Sequence, residues 1–258
     1  MKLYFKYIAM LLKCQIQYRS SFIMMTIGQF LVSFTAFLGV SFMFSRFNSV
    51  DGFSYSEVLL CFSIVLMSFS ITECFVRGFD VFPRLIKSGG LDRILVRPQN
   101  EIFQVLTSNI DFTRIGRLLQ AIIMICYAIP ASKIVWSADK ILTLIIMISG
   151  GIVIFSALFV LYAGLSFFTI EGLEFMNIFT DGGREFGKYP FSIYGEGVLK
   201  FFTYIIPLAL FQYYPFLYLI GKSDKIVYMF LPILGFVFMV PCYAFFKFGI
   251  KKYKSTGS

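Results

Sequence analysis

The carboxylates Glu171, Glu174, Asp181, Glu185 and Glu196 stand within residues 171–200 beside Arg184 and Lys188, and this is the most polar stretch of the chain. Paired acids at such density suggest proton transfer, one carboxyl donating while another accepts. No nucleophile, partner base or metal-ligand set accompanies them at a working spacing, so a solvated loop or amphipathic helix is the better account. His is absent from all 258 residues, which excludes imidazole bases, Ser-His-Asp chemistry and His-ligated metals within the chain. The five cysteines, Cys14, Cys61, Cys74, Cys126 and Cys242, form no C-x-x-C pair and read as small buried hydrophobes. Gly221-Lys222-Ser223 mimics the end of a phosphate-binding loop, but Phe216 stands where its first glycine belongs. Arg97-Pro98 downstream of Lys87 superficially resembles a membrane-phosphatase signature at the wrong spacing and without its histidines. Glu73 and Arg77, four apart, suit a structural ion pair near a membrane interface better than a proton relay. No residue is assigned a catalytic role, and no metal or cofactor site is expected in this chain.

The elements that carry these residues are set by hydropathy. Apolar residues make up 58% of the sequence and charged ones only 14%, with a mean hydropathy of +0.80, against roughly 25% charged in an ordinary soluble domain. The composition predicts an all-α integral membrane protein with six transmembrane helices, since a charge near the bilayer centre is expensive and spans avoid it. Uncharged stretches and their flanks place the spans at about 20–45, 53–76, 110–132, 141–170, 201–221 and 226–246. The whole of 1–258 then reads as a single transmembrane domain, with no room for a fused ATPase or binding domain. Of the 23 Lys and Arg, 18 fall before the first span, after the sixth and in alternate loops, and 5 in the remaining loops. That asymmetry predicts both termini in the cytoplasm and accounts for the +9 net charge without nucleic-acid binding. The four basic groups and long apolar run at the N-terminus argue against a cleaved signal peptide.

Residues 1–19 read as an interfacial helix lying on membrane lipid. Lys2, Lys6 and Lys13 share one face while Leu3, Phe5, Ile8, Leu11 and Leu12 occupy much of the rest. It serves as an anchor or as a lever toward a cytoplasmic partner. Between spans two and three, Leu91-Asp92-Arg93-Ile94-Leu95-Val96-Arg97 reads as two turns of amphipathic helix stopped by Pro98, with Leu91, Ile94 and Leu95 on one face. Such a helix can dock into a groove of a soluble protein. In the fifth span, Tyr204, Gln212, Tyr213 and Tyr214 either pack, form an interfacial belt or line a path for an amphipathic solute.

Taken in order, Glu73 to Arg77-Gly78, Leu91 through Pro98, Asp181-Gly182-Gly183-Arg184-Glu185 with Tyr189-Pro190, and Ile206-Pro207 through Tyr213-Tyr214-Pro215 with Gly221 make this chain resemble the membrane subunits of ABC-2 type exporters. These are six-span permeases whose ATPase is a separate chain. The resemblance covers nearly the whole sequence. It implies that residues 1–19 and the coupling helix, with Leu91, Ile94 and Leu95 making contact and Asp92, Arg93 and Arg97 fixing orientation, meet an ABC ATP-binding subunit. It further implies that ATP and Mg are bound by that partner and that a second permease, self or homologue, completes the path. Export from a bacterial plasma membrane of a drug, natural product, peptide or other amphipathic solute is the expected activity. An ion-coupled secondary transporter and a membrane immunity or assembly protein are the alternatives.

Overall fold

The computed structural model describes residues 2–169 and 173–254, with only the backbone given for Lys2, Leu3 and Leu173. Glu171, counted above among the polar carboxylates, lies outside the described residues. Among the described residues the regular secondary structure is helical, apart from an isolated bridge between Val50 and Phe53.

Helix α1 (Lys2–Gln17) runs into α2 (Arg19–Arg46), which covers the 20–45 stretch. A tight turn at Asp51 and Gly52 leads to α3 (Tyr55–Phe75), whose start is held by the Ser54 N–H donating to the Glu57 carboxylate at 2.7 Å. Four short helices follow: α4 (Arg77–Asp80), α5 (Phe82–Lys87), α6 (Gly90–Leu95) and α7 (Glu101–Ser108). Next come α8 (Ile115–Ala131), entered through a 3-10 turn at Phe112–Arg114, and α9 (Ala138–Leu165). Five helices among the described residues are long and apolar enough to cross a membrane: Arg19–Arg46, Tyr55–Phe75, Phe112–Ala131, Ala138–Leu165 and Val227–Lys252.

The stretch 201–221, expected as one span, is not one helix. It is shared between α11 (Glu196–Tyr204) and the pair α12 (Ala209–Gln212) and α13 (Tyr214–Leu219), and the chain bends by 99° between α11 and that pair. Pro207 and Pro215 lack the N–H that a continuous helix needs, which accounts for the breaks. The polar segment before it is displaced as well. Using α3 as a ruler of about 30 Å at 1.5 Å per residue, Arg184 of α10 (Asp181–Phe186) stacks over Phe69, Lys188 over Phe62, and Ser192 donates to Asp51 just before the helix begins. Residues 184–192 therefore run antiparallel to α3 along most of its length and do not form a loop at one end. A Cβ at Gly187 would crowd the Val65 side chain, so glycine permits this approach. From there α11 doubles back, with Phe202 stacked on Phe191 at 4.6 Å and Phe201 near Phe179. Finally α12 and α13 return toward Asp51, Phe211 meeting Phe155 and Phe216 meeting Phe53.

The last helices are α14 (Val227–Phe230) and α15 (Leu234–Lys252). Helix α15 lies along α9, with Gly235 against Ile154 and Gly164 against Phe245. Small residues let helices approach where lipid offers no hydrophobic drive for association. Helix α3 is the buried centre, whereas α2 is peripheral and carries exposed Ile27, Leu31 and Val32 along one flank.

The seam between α2 and α8 depends on Gly116, where an added Cβ would fall on the Thr26 carbonyl oxygen. Gly116→Val should separate these helices and cost about 1–3 kcal/mol of overpacking, seen as a lower melting midpoint and aggregation on size-exclusion chromatography. Gly28→Ala, with open space around its Cβ position, should behave as wild type in the same assays.

Candidate functional site

Glu73 sits near the end of α3, almost wholly buried. An isolated carboxylate there would be very costly, so its position requires cations. Arg77 donates to Oε1 at 2.9 Å, Arg114 lies 3.5 Å from the same oxygen, and Arg117 donates to Oε2 at 2.6 Å. Asp80 takes Arg77 at 3.0 Å and Asp111 takes Arg114 at 3.1 Å, so three arginines face three carboxylates. Arg114 also donates to Gln29 of α2 at 2.9 Å. The Glu73–Arg77 pair expected from spacing is present, but it is one edge of a cluster joining α2, α3, α4 and α8. Arg114 and Arg117 were legible only as charges within the first turns of the third span; nothing in sequence spacing joins them to a residue some forty positions earlier.

Helices α4 to α7 fold into a platform against this cluster. Phe79 and Phe82 pack on Phe246 of α15 at 5.4 and 5.3 Å between ring centres, and Leu91, Ile94 and Val105 are buried in the same core. Gln104 ties α6 to α7, donating to the carbonyls of Ile94 and Gln99 at 3.0 Å each. Lys247 of α15 donates to Glu101 at 2.8 Å and holds that carboxyl below its ordinary range. Helix α1 lies beside the platform, Tyr4 and Tyr7 meeting Phe103, while Ile8, Leu11 and Leu12 pack toward Ile110 and Phe112. Gln15 clamps the join by donating to the Ile110 carbonyl and accepting from the Phe112 N–H.

This geometry corrects the docking contact assigned to Leu91 and Ile94. Both side chains are spent inside the chain. What α6 and its exit present outward are Leu95, Val96 (82% exposed), Arg93, Arg97 and Pro98. Asp92 is half-buried, near the helix start as expected. The helix spans Gly90–Leu95 and ends before Pro98. Lys6 and Lys13 are exposed on α1; the Lys2 side chain lies outside the description.

The four residues offered as path lining differ in their settings. Tyr204 points outward, 82% exposed, and Tyr213 and Tyr214 are half-buried in packing. Gln212 is buried and acts as a strap, donating to Tyr189 O at 2.9 Å, Gly187 O at 3.3 Å and Cys61 Sγ at 2.7 Å. It satisfies backbone carbonyls of the irregular segment that no helix ladder covers.

The described residues thus make a helical, multi-pass bundle with a platform of short helices folded at one end. The family model described as "ABC-2 family transporter protein" matches residues 30–257. The chain belongs to that family, as a membrane permease and not as a catalyst in its own right. No curated protein and no solved structure matches it.

Removing one partner from a buried ion cluster leaves uncompensated charge, at about 3–5 kcal/mol. Glu73→Gln should therefore lower the melting midpoint of the detergent-solubilised chain strongly. Lys200→Gln should leave it within error, because Lys200 and Glu196 pair in the open.

Proposed function

We propose that this chain is the membrane subunit of an ATP-driven exporter in a bacterial plasma membrane, paired with itself or a homologue and with two ABC ATP-binding subunits that hold ATP and Mg. The observation that carries the coupling is the platform α4–α7: folded, tied to α3 through Arg77 and to α15 through Lys247, and offering Arg93, Leu95, Val96 and Arg97 outward. That end also collects Lys6, Lys13, Arg84, Lys87, Lys251 and Lys252, which supports a cytoplasmic orientation for it and for both termini. Arg46, Lys133, Lys140, Lys222 and Lys225 then lie outside.

On this reading the six crossings are α2, α3, α8, α9, the irregular segment through α10, and α14–α15. The bent pair α11 with α12–α13 is a re-entrant hairpin entering from the outer face. The ladder of contacts from Phe69 to Asp51 supports it, since the polar segment covers the same depth as α3. Glu185 and Lys188 then lie at the level of the bilayer interior. Charges there face a bundle interior or a watery path rather than lipid. The path accordingly runs along the face shared by α2, α3 and α10, closed on its open side by the second permease. Closure of the ATPase pair pushes the platform, and the platform's connections to α3 and α15 tilt the bundle as a rigid body.

The test is a mild-detergent pull-down of the tagged chain from its native membrane, with mass spectrometry and ATP hydrolysis on the eluate. Wild type should bring down a stoichiometric ATP-binding protein. Leu95→Asp, and separately Arg93→Glu with Arg97→Glu, should cut that recovery at least tenfold while membrane insertion is unchanged. A chain that elutes without any ATPase, or variants that recover it fully, would sink the coupling assignment and advance an ion-coupled or immunity role.

A further inference from the structure

A narrow cleft opens between α2, α3 and α10. Val32, Ser33 and Ala36 of α2 and Phe62 and Leu66 of α3 form its walls, and Arg117, Arg184, Lys188 and Glu185 supply its charges. The lining carries three cations against one carboxylate. Arg117 is nine-tenths buried, gives one Nη to Glu73, and leaves its Nε–H without a partner. Such a donor in a low-dielectric wall is costly unless an acceptor arrives. Arg184 and Lys188 both reach Glu185, Arg184 at 2.9 Å, and the Glu185 side chain is 49% exposed. Glu185 is thus an anion at the cleft mouth, held by two largely covered cations. Beyond the mouth, the exposed flank of α2, with Leu31 and Val32, continues as an apolar surface.

Resting on the reading of this face as the transport path, we propose that the cleft binds the anionic headgroup of an amphipathic cargo, with Arg184 and Lys188 exchanging Glu185 for the ligand's phosphate or carboxylate. Arg117, with its unpartnered Nε–H, belongs to the same lining. The cargo's apolar body lies along the α2 flank. Glu185 engages both Arg184 and Lys188 in the empty site, so an anion enters by substitution and leaves when the carboxylate swings back. No bond is made or broken. A guanidinium and an ammonium together suit a tetrahedral or planar oxyanion, the first by its fork and the second as a mobile point charge. A cationic or uncharged headgroup gains nothing from this set.

The probe is dodecyl phosphate, titrated onto the full-length chain in phosphatidylcholine nanodiscs and followed by native mass spectrometry and melting midpoint. Dodecyl trimethylammonium, dodecyl maltoside and inorganic phosphate serve as comparisons. Saturable binding of dodecyl phosphate, at least tenfold tighter than any of the three, is expected. Lys188→Gln and Arg184→Gln should each weaken it fivefold or more, and Glu185→Gln, which removes the carboxylate that the two cations share and leaves Arg184 only Asp181 at 3.5 Å, should strengthen it. Equal binding of the maltoside or the ammonium would overturn the headgroup assignment, and equal binding of inorganic phosphate would overturn the amphipathic part. Indifference to all three substitutions in chains that still melt cooperatively would remove the cleft as the site. ATPase recovery is read independently: a chain that brings down its ATPase yet ignores dodecyl phosphate loses only this inference, while one that binds the probe but no ATPase keeps the site and loses the exporter role.

Discussion

A carboxylate buried at the end of a membrane helix has to be surrounded by cations, and the rest of this structure is arranged around that requirement. Glu73 cannot stay ionised in a poorly polarisable setting on its own. Arg77 alone, one turn away on the same chain segment, would leave the second oxygen bare. Arg117 fills that oxygen, Arg114 approaches the first, and the two further acids Asp80 and Asp111 balance the added charge. The outcome is that α2, α3, α4 and α8 share one electrostatic minimum. Moving any of them changes the solvation of all the rest, which makes the junction between platform and bundle stiff.

A second constraint comes from the backbone. In hydrocarbon every N–H and C=O needs an internal partner, and irregular chain survives only against protein or water. Residues 184–194 run beside α3 as a broken path of short helical turns, and their carbonyls at Gly187 and Tyr189 are met by Gln212 from the bent arm. The irregular segment and the bent arm therefore stabilise each other. A regular helix at this place would have hidden its polar groups; the broken one brings Arg184, Glu185 and Lys188 to the α2 side, where the cleft lies.

The long apolar elements were legible in the sequence because their signal is local: an uncharged run of about twenty residues has few other solutions. Residues 53–76, for example, became α3 with ends within two residues of those expected. The Glu73–Arg77 pair was legible for the same reason, by its four-residue spacing. Residues 171–200 were read as a solvated loop or amphipathic helix, and the part from 184 to 192 lies along α3 instead. Hydropathy cannot distinguish a solvated loop from a polar segment sheltered by neighbouring helices, since the shelter comes from residues such as Val65, Phe69 and Gln212 far away in sequence. Likewise the amphipathic pattern of Leu91, Ile94 and Leu95 signalled a face to be covered, but pattern alone does not say whether the cover is a partner or the chain itself. Here Phe82, Ile86 and Val105 supply it.

That internal cover bears on how force would pass through the molecule. A helix resting its apolar face on a separate protein is held only while that protein is present, and it yields when pushed. Helix α6 has its apolar face locked against α5, α7 and, through Phe79 and Phe82, against the end of α15. Close-packed interiors transmit displacement with little compression. A push on Leu95, Val96 and the two arginines would then arrive at α15 through aromatic packing and the Lys247–Glu101 pair, and at α3 through Arg77, without first compressing a soft joint. The exposed side of α6 is narrow and basic, suited to orienting an acidic partner surface, whereas stiffness comes from the buried side. On the proposed coupling role, recognition and transmission fall to opposite faces of a six-residue helix, and a substitution on the exposed face would then alter partner binding while leaving the path of force intact.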